Sequence, residues 1–212
     1  ALALDPNEPE VLSSKKILLA GMGHLKDALL LSEQLHTLEP FVPILNQQRA
    51  DVLWLNGQDE AAIVVLKALP RTQPRIAKIY ASMGRYKEAA DVLMEIPTGT
   101  YPPGELEKIV ALLRKAPAID TSSQKLRRLG GLAWVYLYTA DPARALEDFE
   151  ANVKDGDFLS AATIELWNPS FAPVRKTDRF KVYARAAGMV DYWRAKGWPD
   201  LCHPTTGDDF EC

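Results

Sequence analysis

The sequence predicts an all-α protein: a helix–turn–helix solenoid closed at its end by a C-terminal helical cap. Three observations predict it. A pattern of small residues and prolines recurs with a 34-residue step through the first half of the chain. Apolar and charged residues further on alternate at helical rather than strand spacing. Near the C-terminus, aromatics gather on the faces of short helical stretches, as the last unit of a stacked array requires.

The recurrence is visible when "GMGHLKDALLLSEQLHTLEP" is set against "LNGQDEAAIVVLKALPRTQP". Gly23 and Gly57, Ala28 and Ala62, Pro40 and Pro74, and Leu19 and Leu53 are all 34 positions apart. A third copy, "YASMGRYKEAADVL", arrives 27 positions after the second and keeps an alanine, Ala89, five positions after its glycine, Gly84. Each position has a mechanical reason. Glycine lets the chain turn sharply between antiparallel helices. The alanine lies where the second helix crosses the first, and a larger side chain would hold them apart. The proline ends the second helix and begins the connection to the next pair.

A period of this length with small residues at these offsets resembles the tetratricopeptide repeat. Tyr80, four residues before Gly84, stands where that family usually has an aromatic, and Ala50 and Ala77 fill its small-residue position. Lys16 occupies the same position in the first full copy, and Leu35 and Leu69 replace the usual closing alanine, so that copy is degenerate. Ala1 and Pro6 match the close of a preceding, truncated repeat, and the chain is expected to come from a longer polypeptide. Residues 1–96 are therefore expected to form a truncated repeat followed by three more.

After Ile96 the text changes. "PTGTYPPGE" is rich in proline and glycine and reads as a boundary. "ELEKIVALLRKAP" reads as a single helix that stops before Pro117, which makes 97–120 a loop plus one helix. Asp120, Thr121 and Ser122 are helix-capping candidates ahead of a long helical segment. Ala133 with Tyr136, and Ala145 with Phe149, recover the family's pairings, so a further helix pair is expected over 121–157.

Residues 158–212 form the expected cap, in three short helices: one ending near Trp167, one through Phe180–Ala187 and one after Gly188. Phe180, Tyr183 and Ala187 share a face, as do Met189, Val190 and Trp193, while Arg179, Lys181, Arg185, Arg194 and Lys196 are expected to point outward. The cap is expected to seal the far end of the stack. The phrases "LWNPSFAPVRKTDRFK" and "DYWRAKGWPDLC" are similar to the tail that follows tetratricopeptide repeats in bacterial signalling proteins, including relatives of class III adenylate/guanylate cyclases and winged-helix regulators.

Composition bounds the function. Hydrophobic residues make up 47% and charged residues 25%, as in a folded domain, and a net charge of −3 is too small to predict a polyanionic partner. No nucleotide-binding glycine motif, H-E-x-x-H or G-x-S-x-G elbow is present. The cap's aromatics recur at inward-pointing intervals, which disfavours base stacking and makes nucleic acid an unlikely partner. Cys202 and Cys212 are expected as two reduced thiols of a cytoplasmic protein, although a disulfide between them is sterically possible. No metal, cofactor, membrane span or catalytic group is expected.

What the resemblance implies is a concave face, lined by the first helix of each pair, that takes a protein or peptide. Counting from the repeat register, Ser13, Ile17, Gln47, Asp51, Trp54, Arg71, Arg75 and Lys78 belong to it. Gln47, Asp51, Trp54, Arg71, Arg75 and Lys78 are the candidate partner-binding set. Trp54 supplies either an apolar anchor for the partner or a buried wedge between repeats. Ser13 and Ile17 leave incomplete the lysine/asparagine/arginine clamp with which some members hold peptide C-termini. The function expected is a non-catalytic interaction or scaffolding module of a larger bacterial signalling protein. The alternative is the repeat portion of a cyclase, or of a winged-helix regulator, whose other domain lies upstream.

Overall fold

The computed structural model describes residues 7–117, 130–138, 145–156 and 161–212. Its first half is three helix hairpins in succession: α1 (Pro9–Gly21) with α2 (Leu25–Leu38), α3 (Pro43–Leu55) with α4 (Asp59–Lys67), and α5 (Gln73–Ser82) with α6 (Tyr86–Met94). Each helix packs on the next along the chain.

All three hairpins turn the same way. Gly23, Gly57 and Gly84 have φ of +85°, +76° and +76°, in the left-handed region that a side chain disfavours. In each, the amide after the glycine donates to a carbonyl five residues back: His24 to Leu19, Gln58 to Leu53 and Arg85 to Tyr80, all at 2.9 Å. This is the Schellman closure, which satisfies carbonyls that the helix end leaves over. Ala28, Ala62 and Ala89 are fully buried, as are Ala50 and Ala77. Lys16, at the equivalent place in α1, is only 1% exposed.

The short third step has a simple origin. α4 has nine residues where α2 has 14, and α5 has ten where α3 has 13, while the α4–α5 connection is one residue longer than the α2–α3 connection. Both kinds of helix are trimmed, and the turn itself is kept. Pro74, expected to end a helix, instead lies in the first turn of α5, as Pro9 and Pro43 do in α1 and α3. Proline is tolerated there because the missing N–H has no intrahelical acceptor.

α7 (Glu105–Leu113), read from sequence as a helix without a partner, packs against α6 and against a 3-10 helix over Gly130–Tyr138. α8 (Glu147–Lys154) follows. Residues 118–129, 139–144 and 157–160 lie outside the described residues, and with them part of the expected 121–157 helix pair and its capping candidates; so do Ala1 and Pro6. Within the described part, Tyr136 and Ala145 are buried and Phe149 is half-buried, with its ring 6.1 Å from that of Phe171.

The C-terminal part consists of a 3-10 helix over Ala161–Trp167, short turns at Pro169–Phe171 and α9 (Ala172–Arg175), then α10 (Asp178–Ala186), α11 (Met189–Lys196) and a hairpin of β1 (His203–Pro204) and β2 (Phe210–Glu211). Thr177 caps α10 by accepting from the Phe180 amide at 3.2 Å. Arg175 is buried and donates to the carbonyls of Leu166 (2.7 Å) and Asn168 (3.0 Å); burial lowers its pKa to about 10. Phe180 and Trp193 are fully buried and Tyr183 nearly so, the inward placement that their spacing predicts.

The cap covers more than the far end that the sequence predicts. It packs on the last described helices, where Tyr138 Oη lies 2.7 Å from Ser170 Oγ and the Phe149 ring meets those of Phe171 and Tyr183, and it also docks on the first hairpin. Trp167 Nε1 donates to the Gly21 carbonyl at 2.8 Å and Trp193 Nε1 to the Met22 carbonyl at 2.9 Å. The Asp200 amide donates to the Gly23 carbonyl at 3.0 Å, and its carboxylate accepts from the Lys26 amide at 2.9 Å. Asp200 thus caps α2 from 174 residues away, where the helix has no side-chain cap of its own. Indoles suit this junction because each buries a large apolar body while its one N–H finds a leftover helix-end carbonyl.

Two further expectations change. Cys202 and Cys212 form a disulfide, not two thiols, beside the β1–β2 ladder. The outward basic residues are also not a bare cationic surface: Arg179 pairs with Glu150, Lys181 and Arg185 with Asp209, and Arg194 with Asp208. Among the described residues no helix is long and apolar enough to cross a membrane.

Candidate functional site

The first helices of the hairpins, α1, α3 and α5, carry the candidate residues other than Arg71. On α3, Gln47, Asp51 and Trp54 are spaced so that they share a helical face, and on α5 Arg75 and Lys78 do the same. Adjacent hairpins bring these faces together. Arg75 Nε lies 3.3 Å from an Asp51 carboxylate oxygen, a pair that bridges α5 and α3. Nearby, Lys16 Nζ donates to Gln48 Oε1 at 2.5 Å, linking α1 to α3.

These charges sit at the edge of the core, and burial governs their titration. Asp51 has its pKa raised by desolvation, with Arg75 and then Lys78 pulling it back and Glu165 adding to the rise. Lys16 is lowered to about 8 by desolvation, opposed by attraction to Asp51. Both shifts come from the same cause: taking a charge out of water disfavours the charged form.

A segment of the chain itself already lies on this face. The 161–167 segment packs against α1, with Ile164 against the small cluster of Ala20, Ala28 and Val52. Its Glu165 carboxylate accepts a hydrogen bond from Lys78 Nζ, and Trp167 anchors its end at the α1 terminus. Lys78 is therefore neutralised from within the chain, and its ammonium also stands 5.9 Å from the centre of the Trp54 ring.

The six candidates do not share one environment. Asp51, Arg75 and Lys78 converge. Trp54 is 3% exposed and donates from Nε1 to Ser82 Oγ at 2.9 Å, so of its two possible positions it takes the wedge between hairpins. Gln47 stays half-exposed on α3. Arg71 is exposed in the α4–α5 connection, off the helix, with φ of +58°. Sequence reading missed Gln48, Ser82 and Glu165. The signal for Gln48 was Lys16 itself, since a lysine at a close-packed position has to find a buried acceptor. Glu165 carried no local signal.

A separate concavity of about 600 Å³ lies among α2, α3 and α4, walled by Leu29, Leu53, Val64 and Val65 with the Glu33–Arg49 pair beside them. Among the described residues no group of three or more His, Cys, Asp and Glu side chains could hold a metal ion. His24 meets the Tyr192 ring edge at 6.0 Å between centroids, and His36 Nδ1 lies 3.1 Å from Asn46 Oδ1. Comparison with protein-family models, curated proteins and solved structures finds no match to the chain.

Proposed function

We propose that the chain is a tetratricopeptide-like superhelix that serves as a non-catalytic protein–protein interaction module within a larger bacterial signalling protein. The reading is supported by the repeated hairpin geometry, in which identical glycine turns and buried alanines stack first helices side by side. It is carried by one observation: Asp51, Arg75 and Lys78, from successive hairpins, converge on a face that already holds a carboxylate borne on a short helical segment. A protein or peptide offering a carboxylate beside an apolar residue matches that chemistry, entering past the half-exposed Gln47 and Arg75 with the exposed Arg71 as an outer contact. No cofactor takes part.

Site-specific photo-crosslinking tests this. A crosslinker in place of Gln47 or Arg71 is expected to give an adduct with one and the same partner, and a crosslinker in place of the exposed Lys87 on α6 to give none. Arg75→Glu is expected to lower the adduct yield by about tenfold, the loss that follows when a charged contact is reversed. Equal adducts from Lys87, or a yield untouched by Arg75→Glu, would refute the reading.

A further inference from the structure

We propose that this chain folds in an oxidising compartment, where the Cys202–Cys212 disulfide is a clasp that keeps the C-terminal tail seated on the α1–α2 turn. The inference concerns the tail and does not depend on the binding face.

The clasp matters because the backbone ladder alone is too short to join the two ends of the hairpin. β1 and β2 are two residues each, paired His203 with Glu211 and Pro204 with Phe210, which is too short a ladder to be stable alone. The bond lies next to that ladder and joins two groups of contacts. On the Cys202 side, Pro199 packs against Gly23, and Asp200 binds the Gly23 carbonyl and the Lys26 amide. On the Cys212 side, Phe210 is fully buried against Trp193 and Trp198, at 5.5 and 5.9 Å between ring centres, and Asp208 and Asp209 pair with Arg194, Arg185 and Lys181. The disulfide therefore couples the contacts on α10 and α11 to those on the first hairpin.

The redox setting is inferred from the bond itself. Cys202 and Cys212 are the chain's two cysteines and no thiol is left free, so no mispairing within the chain competes. Closing the bond takes two protons and two electrons from the paired thiols. A donor disulfide, of a protein or a small thiol, accepts them through two exchanges and leaves as two thiols. Such a bond persists where thiols are not continuously reduced.

Two measurements test the proposal. In cells that make the protein natively, thiols are trapped with acid and the denatured protein is treated with a maleimide. Peptide mass spectrometry is expected to find Cys202 and Cys212 unlabelled before reduction and labelled after it; labelling of both without reduction would overturn the compartment. In the second, the purified full chain is exposed to trypsin, whose targets Arg194 and Lys196 lie exposed on α11. A dithiol reductant is expected to speed cleavage there by at least about tenfold, because opening the loop frees the tail to open locally. Cys202→Ser/Cys212→Ser is expected to cleave at the reduced rate without reductant. Should that variant not fold, the unmodified chain, reduced and then reoxidised, gives the same comparison. Equal cleavage of reduced and oxidised chains would overturn the clasp.

Discussion

The docking of the tail on the first hairpin predicts that two equivalent glycines respond unequally to the same change. Gly23 and Gly57 hold the same turn, with φ of +85° and +76°. Placing alanine at either costs about 1–2 kcal/mol for a side chain in the left-handed region. At Gly57 that is the whole effect, because an added Cβ meets nothing within 4 Å. At Gly23 it would stand 2.5 and 2.6 Å from two Trp167 ring atoms and 2.8 Å from Pro199 Cβ. Carbon atoms settle at about 3.5–4.0 Å, so the ring would have to retreat by about 1 Å. Overpacking of this kind costs about 1–3 kcal/mol. The same retreat strains the 2.8 Å bond from Trp167 to the Gly21 carbonyl, and losing a buried bond adds about 1–3 kcal/mol. Gly23→Ala is therefore expected to destabilise by about 2–6 kcal/mol more than Gly57→Ala, read as the difference in urea-unfolding free energy. Tryptophan emission should shift to the red in the first variant and not in the second. If the two variants unfold within about 0.5 kcal/mol of each other, the ordinary error of such comparisons, the tail is not seated on that turn.

Two further predictions follow from the same junction and from the buried face. Asp200→Ala should cost about 1 kcal/mol, the usual worth of a helix cap, while Asp200→Asn keeps an acceptor for the Lys26 amide and should cost less; urea unfolding of both variants checks it. Lys16, lowered to about 8 in the fold from 10.5, binds fewer protons folded than unfolded between those values. Stability of the parent chain relative to Lys16→Met should therefore rise as pH goes from about 8 to 10.5 and stay level below that window. A flat difference between unfolding midpoints at pH 7.5 and pH 10 would mean that Lys16 is not desolvated.

Much of the fold was legible because it is local. Three glycines at fixed offsets from three alanines specify hairpins through backbone sterics and close packing, both of which act within a few residues. The faces of α10 and α11 follow from helical spacing alone, and Phe180, Tyr183 and Trp193 are buried as that spacing requires. Lys16 marked a departure from the pattern, and its burial beside Gln48 gives the departure a physical form.

Other features were settled by contacts between distant parts of the chain. An apolar side chain on an inner face reads the same in sequence whether a partner or the next hairpin covers it, and Ser82 was what decided Trp54. Glu165 gains its meaning only when the fold carries it 87 residues back to Lys78. Periodicity demanded that an aromatic cap cover some end of the array. That the cap also reaches back to the first hairpin depended on where free helix-terminal carbonyls and a flush glycine turn could receive two indole N–H groups, and Gly21, Met22 and Gly23 supply that surface. Cys202 and Cys212 pair for the same reason: the sequence sets only their separation, and the docked hairpin brings them face to face. Short-range sterics are written in residue order, whereas the choice among complementary surfaces exists only once those surfaces have been built.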